Sequence, residues 1–148
     1  MAQNASIATS TYEALNDRDF DRFAEVLAKG EVIAMGSGDR WHGSDGARQF
    51  AEMWYEGFPD GKIEFRSIIE SGDTVVIEFT GRGTHTGTLR SPLGDIEATG
   101  RPMELQLCDV WSFASDGTPT QVRTYFDTAS MMAQLGPVPV PAATEVTA

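Results

Sequence analysis

Hydrophobic residues recur at a helical spacing in three stretches of the first part of the chain. The predicted helices occupy residues 6–15, 20–29 and about 45–55. Asp19 precedes the second helix and Ser44 or Asp45 precedes the third, and such residues commonly cap helix N-termini. A short apolar run at residues 32–35 follows the second helix and predicts a first strand.

The hydrophobic period changes to two after a turn at residues 57–61. Alternating apolar and polar residues, rich in β-branched side chains, predict strands at residues 63–69, 75–80, 105–113 and 121–126. The segment 88–102, with two glycines and two prolines, predicts a long loop over the mouth of a pocket. A closing helix is predicted at residues 129–135.

Helices that precede the strands predict the α+β class, with a curved antiparallel sheet wrapped around the N-terminal helices. Such a sheet forms a cone, and its closed apolar interior is a favoured place for a ligand. The length of 148 residues fits a single domain, predicted at residues 1–136. The proline-rich segment 137–148 lacks a periodic pattern and is predicted to be a flexible tail.

The charge of the chain disfavours several classes of partner. Lysine and arginine number 11 against 22 acidic residues, and the resulting net charge of -11 disfavours nucleic acids and anionic membrane surfaces. The sequence shows neither a signal-peptide pattern nor an apolar run of about 18 residues, so we expect a cytoplasmic protein. One cysteine, Cys108, and two histidines allow neither a disulfide nor a thiolate zinc site, and no metal or other cofactor is predicted.

Asp109 is the strongest candidate for proton chemistry. It lies between Leu107 and Trp111 on the apolar face of a predicted strand. Removal of a carboxylate from water raises its pKa, and a raised pKa suits a general acid or base near neutral pH. The alternative is a buried ion pair between Asp109 and Arg123 across the hairpin, with a purely structural role.

Three further residues complete the candidate catalytic set. His85, in the glycine-rich segment 81–87, either binds a developing enolate oxygen or fixes the turn through a hydrogen bond. Arg123 either stabilises an oxyanion or neutralises Asp109. Asp127 either joins this set or caps the closing helix.

Aromatic residues at several positions are candidates for binding an apolar substrate, although the same residues serve equally well as core. They are Tyr12, Trp41, Trp54, Trp111 and Tyr125.

Several short motifs occur together in the order and spacing of one family. They are residues 12–16 with Asp19, 58–60, 72–76, 83–87, 99–101, 116–117 and 126–136. Over residues 6–136 the chain resembles the SnoaL-like polyketide cyclases, which belong to the nuclear-transport-factor-2-like superfamily together with ketosteroid isomerase.

The resemblance implies the nuclear-transport-factor-2-like α+β barrel, a homodimer formed through the sheet, and cofactor-free ring closure of a hydrophobic, polyketide-like substrate. In aldol-type cyclases of the family, an aspartate of the last strand acts as the base. Thr124 occupies that position here and is a candidate for substrate binding instead. Because threonine cannot act as that base, the type of ring closure stays open between an aldol step, a conjugate addition, a pericyclic closure and another cyclisation. Asp109 corresponds to a position on the preceding strand that holds an acid or a histidine in related enzymes.

Three functions remain open at the level of the sequence. The leading hypothesis is a cofactor-independent cyclase of natural-product biosynthesis that folds its substrate in an apolar pocket and moves a proton with Asp109. A hydrolase or isomerase, for example one that opens an epoxide, would need Asp109, Arg123 and Asp127 around a water molecule. A small-molecule-binding protein without catalysis would have the same fold.

Overall fold

The computed structural model describes residues 3–91 and 94–136. Within these ranges the helices are α1 (Gln3–Asn16), α2 (Phe20–Val26), α3 (Gly43–Gly57) and α4 (Thr128–Leu135). The strands are β1 (Glu31–Ala34), β2 (Arg40–His42), β3 (Lys62–Ser71), β4 (Thr74–Thr84), β5 (Pro102–Phe113) and β6 (Pro119–Phe126). The predicted tail, residues 137–148, lies outside the described residues.

The strands form one six-stranded sheet in the order β2-β1-β6-β5-β4-β3. Residues of β1, β3, β4, β5 and β6 all line the same cavity, which requires the sheet to curve around it. The predicted α+β fold with a curved sheet is therefore confirmed. The sheet is mixed rather than antiparallel, because β1 joins the edge of β6 in the parallel direction.

The junction between β1 and α3 differs from the prediction. The strand β2 was not predicted because it has three residues, too few to show a period. The helix α3 begins at Gly43, and its N-cap is His42, which makes no side-chain capping bond. The predicted caps Ser44 and Asp45 thus lie inside the helix, because Gly43 adopts the left-handed region (φ +64°) and turns the chain one residue earlier.

The predicted N-cap of the second helix is confirmed. A carboxylate oxygen of Asp19 accepts a hydrogen bond from the Arg22 amide, at 3.1 Å. This bond satisfies one of the amides that a helix leaves free at its start. The cap starts α2 directly after α1, and α2 packs against α1 and α3.

The main core lies between the helices and the inner face of the sheet. Fully buried alanines on α1 and α3, among them Ala8 and Ala51, allow these helices to approach the strands closely. A smaller cluster, with Phe58, Leu105 and Leu135, fills the space beneath α4. Between the two clusters the interior holds a cavity, described below.

In its described residues the segment 88–101 is irregular, as predicted, but it packs against the end of α3 instead of bordering the cavity. Leu89 is buried in the smaller cluster and pairs with Ile96 in an isolated β-bridge. The amide of Gly87 donates to the carbonyl of Gly57 at 3.2 Å, which holds the segment against the end of α3. Of the described residues in 88–102, none lines the cavity.

Two side-chain amides take the place of a neighbouring strand at free edges of the sheet. Asn16, at the end of α1, accepts from the Ile63 amide (2.8 Å) and donates to the Ile63 carbonyl (3.0 Å) on β3. Gln134 of α4 makes the same pair of bonds with Glu104 of β5, at 2.8 and 2.9 Å. The pairing of β5 with β6 ends at Leu107, so Gln134 covers an edge that β6 leaves free.

Gln134→Ala is expected to lower the free energy of unfolding by about 1–2 kcal/mol, since it removes two hydrogen bonds to the backbone of β5. Urea denaturation measures the change. Gln134→Glu keeps an acceptor for the Glu104 amide, so its free energy of unfolding should fall less than that of Gln134→Ala. Gln49→Ala, an exposed glutamine of α3, is the matched control, and an equal loss in Gln134→Ala and Gln49→Ala would contradict the edge-covering role.

Candidate functional site

The cavity lies between the three N-terminal helices and the sheet, and its volume is about 100 Å³. Its wall is mainly aromatic and aliphatic, with side chains from α1, α2, α3 and five strands. Asp109 is the one carboxyl group among the lining residues, and Thr124 lies opposite it in the register of β5 and β6. An apolar cavity with one buried acid is suited to proton transfer on an apolar substrate.

The two oxygens of the Asp109 carboxyl group differ in their surroundings. Its side chain is 6% exposed. The oxygen Oδ2 accepts a hydrogen bond from the Tyr12 hydroxyl at 2.6 Å. The oxygen Oδ1 has no hydrogen-bond partner among the described residues. Oδ1 is therefore the atom that is available for a proton or a ligand.

A chain of hydrogen bonds fixes the direction in which Tyr12 donates. The Trp111 indole N–H donates to the Tyr12 hydroxyl oxygen at 2.8 Å. Because this bond uses a lone pair of that oxygen, the hydroxyl proton is free to point at Asp109. Tyr12 also packs against Phe79, with ring centroids 5.1 Å apart, which keeps the phenol in place.

Burial raises the pKa of Asp109 to about 6, although the hydroxyls of Thr124 and Tyr12 act in the opposite direction. The same burial, together with the neighbouring Asp109, raises the pKa of Tyr12 well above its ordinary value. Asp109 therefore changes its charge near neutral pH while Tyr12 stays protonated. The predicted rise in the pKa of Asp109 is confirmed.

Arg123 lies on the other face of the sheet from Asp109. In the register it stands opposite Val110, and its guanidinium donates to Gln121 at 2.8 Å. The predicted ion pair between Asp109 and Arg123 is therefore wrong, because cross-strand partners must share a face and these two residues do not. Among the described residues, no cationic side chain forms an ion pair with the carboxyl group of Asp109.

His85 follows β4 at the far end of the inner face, away from Asp109. Ile77 pairs with Asp109, and the eight residues from Ile77 to His85 span roughly 26 Å of extended chain. The His85 side chain is fully buried, and its ring lies 5.3 Å from the Phe58 ring. His85 is thus not brought into contact with the carboxyl group.

Asp127 caps α4, in agreement with the alternative stated for it. One of its carboxylate oxygens accepts from the Ser130 amide at 3.2 Å, and the residue is exposed. The four candidate catalytic residues do not form one cluster, since only Asp109 lines the cavity.

Four of the six candidate substrate-binding residues line the cavity. They are Tyr12, Trp54, Trp111 and Thr124. Trp41 packs against Phe50 at 5.1 Å outside the lining, and Tyr125 is 43% exposed on the outer face. The sequence analysis missed Phe58, which lies in a turn motif, and Tyr55, at the end of a helix. Tyr55 lies four residues after Ala51, one helical turn further on, so the period of α3 could have predicted that both residues share the inner face.

The outer face of the sheet has an open groove of about 570 Å³. Met35 and Tyr125 line it and are 40% and 43% exposed. Cys108, on the opposite face from Asp109, is half-buried there. The homodimer through the sheet stays a prediction, and this groove is the surface that it would use.

Two further findings concern the described residues, 3–91 and 94–136. They contain no group of three or more histidine, cysteine, aspartate or glutamate side chains that is placed to hold a metal ion. None of the helices described is both long and apolar enough to cross a membrane.

The raised pKa of Asp109 predicts a pH-dependent contribution to stability. Because folding favours the protonated acid, this contribution is present below pH 4 and is lost as the pH rises through about 6. Asp109→Asn cannot ionise. Its free energy of unfolding relative to wild type should therefore rise by about 3 kcal/mol between pH 3.5 and 8.

Urea denaturation at several pH values measures this difference. Asp17→Asn, at an exposed position after α1, is the control and should run parallel to wild type. Parallel curves for Asp109→Asn and wild type would show that Asp109 does not titrate abnormally.

Comparison with known proteins gives the same fold and a family. AclR from Streptomyces galilaeus, provisionally described as a hydroxylase, is similar with a TM-score of 0.76 and 20% identity, over 94% of this chain and 99% of that chain. IdmH from Streptomyces antibioticus, provisionally described as a polyketide cyclase, is similar with a TM-score of 0.71 and 25% identity, over 91% of this chain and 99% of that chain. A protein from Catenulispora acidiphila with a ketosteroid isomerase-like fold has a TM-score of 0.71 and 16% identity, over 88% of this chain and 92% of that chain.

The sequence has no significant match among curated proteins. A family model for the SnoaL-like polyketide cyclases matches residues 5–135, which include every strand and helix that contributes to the cavity. The chain belongs to the SnoaL-like polyketide cyclase family.

Proposed function

We propose that the protein is a cofactor-independent cyclase that closes a ring in a polyketide-like intermediate, with Asp109 as the group that moves the proton. The observation that carries this proposal is the carboxyl group itself. It lies in an apolar cavity, Tyr12 holds one of its oxygens, and the other oxygen has no partner among the described residues.

The reaction is an intramolecular addition that leaves the mass of the substrate unchanged. The carboxylate of Asp109 takes a proton from a carbon next to a carbonyl group, and an enolate forms. The enolate carbon bonds to a second carbonyl carbon of the same molecule, and that carbonyl oxygen becomes an alkoxide. The alkoxide takes the proton back from Asp109, which restores the carboxylate.

The cavity wall supports this reaction by holding the chain in a folded conformation. Aromatic side chains such as Trp54 and Trp111 confine an apolar substrate, so that the two reacting carbons meet without a loss of entropy in the reaction step. The Thr124 hydroxyl lies in the same wall next to Asp109, and we expect it to donate to an enolate oxygen when a substrate is bound. Thr124 thus has a role in binding, although it cannot replace an aspartate as base.

The geometry supports a cyclase over the other two functions. Epoxide opening by Asp109, Arg123 and Asp127 requires the three side chains around one water molecule. Arg123 lies on the outer face and Asp127 caps α4. Simple binding would be favoured by an Asp109 locked in an ion pair. Within the described part of the chain, Asp109 makes no ion pair, and its Oδ1 accepts no hydrogen bond.

The proposal predicts that Asp109→Asn slows ring closure by 100-fold or more, on the order of the usual contribution of a general base. The probe is methyl 3-oxo-4-(2-acetylphenyl)butanoate, whose activated carbon can close a six-membered ring on the acetyl group. Liquid chromatography with mass detection measures the isomeric product and its dehydrated form.

Arg123→Gln and Asp127→Asn are the matched controls and should retain the wild-type rate, since both side chains lie outside the cavity. Circular dichroism confirms that each variant is folded. Undiminished turnover by Asp109→Asn would refute the catalytic role of Asp109.

The pH profile gives a second prediction. A base must be deprotonated, so kcat/KM should rise with pH and level off above about 6, the pKa of Asp109. The hydrogen bond from Tyr12 lowers this pKa. Tyr12→Phe should therefore move the midpoint of the profile to higher pH.

Tyr55→Phe is the control for this prediction. Tyr55 also lines the cavity, but its neighbours are Phe20 and Arg18 rather than Asp109. Its profile should match that of wild type. A midpoint that stays in place or falls in Tyr12→Phe would show that Tyr12 does not set the pKa of the base.

A further inference from the structure

His85 carries a buried hydrogen-bond donor that the proposed reaction does not use. The Thr99 amide donates to Nδ1 of His85 at 3.3 Å, and the Thr99 hydroxyl oxygen lies 3.0 Å from the same nitrogen. Since Nδ1 accepts a bond from an amide, the neutral ring carries its proton on Nε2. The residue is 0% exposed, and Nε2 has no partner among the described residues.

A buried donor without a partner costs free energy, and such groups are rare in folded proteins unless they serve a ligand. The backbone of His85 also closes the neighbouring segment, because its amide donates to Arg101 and its carbonyl accepts from Gly100. These bonds fix the segment without the imidazole. The free Nε2 proton therefore calls for a separate explanation.

Phe58 separates this donor from the cavity. Its side chain lines the cavity on one side, and on the other side its ring lies 5.3 Å from the His85 ring at an angle of 33°. The barrier between the cavity and His85 at this point thus includes a side chain that can rotate.

The inner face of β4 has no side chain of its own between Phe79 and His85, because both inward positions are glycines. Gly81 and Gly83 lie on the line from Phe79 to His85. A Cβ atom at Gly83 would stand 3.0 Å from the Cβ atom of Phe58. The space above Gly83 is thus occupied by Phe58, and a rotation of this ring away from Gly83 would extend the cavity to His85.

The size of the cavity supports such an extension. Sites for drug-sized ligands usually measure about 300–1,000 Å³, whereas this cavity has about 100 Å³. A polyketide-like molecule therefore needs further space. Behind the wall at Phe58 lies Nε2 of His85. A hydrogen bond from Nε2 to a ligand would offset part of the free energy needed to rotate the Phe58 ring.

We propose that His85 is a specificity-determining residue that binds an acceptor oxygen at the end of the substrate remote from Asp109. The Nε2 proton donates to this carbonyl oxygen after the Phe58 ring turns away from Gly83. This inference rests on the proposed function for the position of the reacting end, which lies at Asp109. It assigns His85 a part in binding rather than in proton transfer.

Two probes test this assignment without any turnover. They are 4-acetylbiphenyl and 4-ethylbiphenyl, which are equally apolar in their rings and differ only in a carbonyl group at one end. Neither compound has to reach Asp109, which lies too far from His85 for a biphenyl to contact both residues. Titration calorimetry measures both affinities. Wild type should bind the acetyl compound about tenfold more tightly, which corresponds to one well-made hydrogen bond.

His85→Phe should bind both compounds equally and should keep the wild-type affinity for the ethyl compound. His85→Gln retains a donor and should restore part of the preference. Phe58→Leu should strengthen the binding of both compounds, since a smaller side chain opens the path. An unchanged preference in His85→Phe, or equal binding of the two compounds by wild type, would overturn the proposal.

A measurement on wild type covers the case in which His85→Phe does not fold. The Nε2 proton of the histidine, observed by NMR, should move downfield with the acetyl compound and stay in place with the ethyl compound. A resonance that responds equally to both compounds would also overturn the proposal. Failure of the proposed cyclase function would appear separately, as undiminished ring closure by Asp109→Asn.

Discussion

The hydrogen bond from Tyr12 to Asp109 is the constraint on which the site depends. It joins α1 to the middle of the sheet across the core, and it holds a carboxyl group among apolar side chains that would otherwise exclude it. The Trp111 indole completes the arrangement because it leaves the phenol proton only one direction. Position, charge and free oxygen of Asp109 thus follow from one contact between a helix and a strand. Without that contact Asp109 would be a buried carboxyl group with neither oxygen held by Tyr12.

The curvature that encloses the acid leaves strand edges uncovered, and side chains complete them. Where β6 ends, Gln134 pairs with the backbone of β5, and at the other end of the sheet Asn16 pairs with β3. Each amide offers one donor and one acceptor at the spacing of a peptide group. The two helices that carry them are thereby fixed to the sheet at the rim of the cone. An edge covered by a side chain also cannot pair with another chain.

The sequence predicts those features that are set by local periodicity. Helices, hairpins and the inward position of Asp109 follow from the alternation of apolar residues, and the position of Thr124 beside Asp109 agrees with the register. The parallel contact of β1 with β6 is not predictable in this way, since it joins residues far apart in the chain. The ion pair with Arg123 was wrong because the two side chains have opposite parity in the register. The predicted N-cap of α3 was wrong because Gly43, in the left-handed region, starts the helix earlier than expected.

The isolation of Asp109 has a consequence for the fate of hydrogen atoms. It is the sole carboxyl group among the lining residues, and it is 6% exposed. The Tyr12 hydroxyl beside it has a pKa raised well above its ordinary value, so it donates a hydrogen bond and keeps its own proton. A base of this kind that removes a hydrogen from carbon has that same proton to return. Within the closed site the hydrogen that leaves the substrate carbon is then the one that arrives on the new oxygen, and the hydroxyl exchanges it with water only after the product is released.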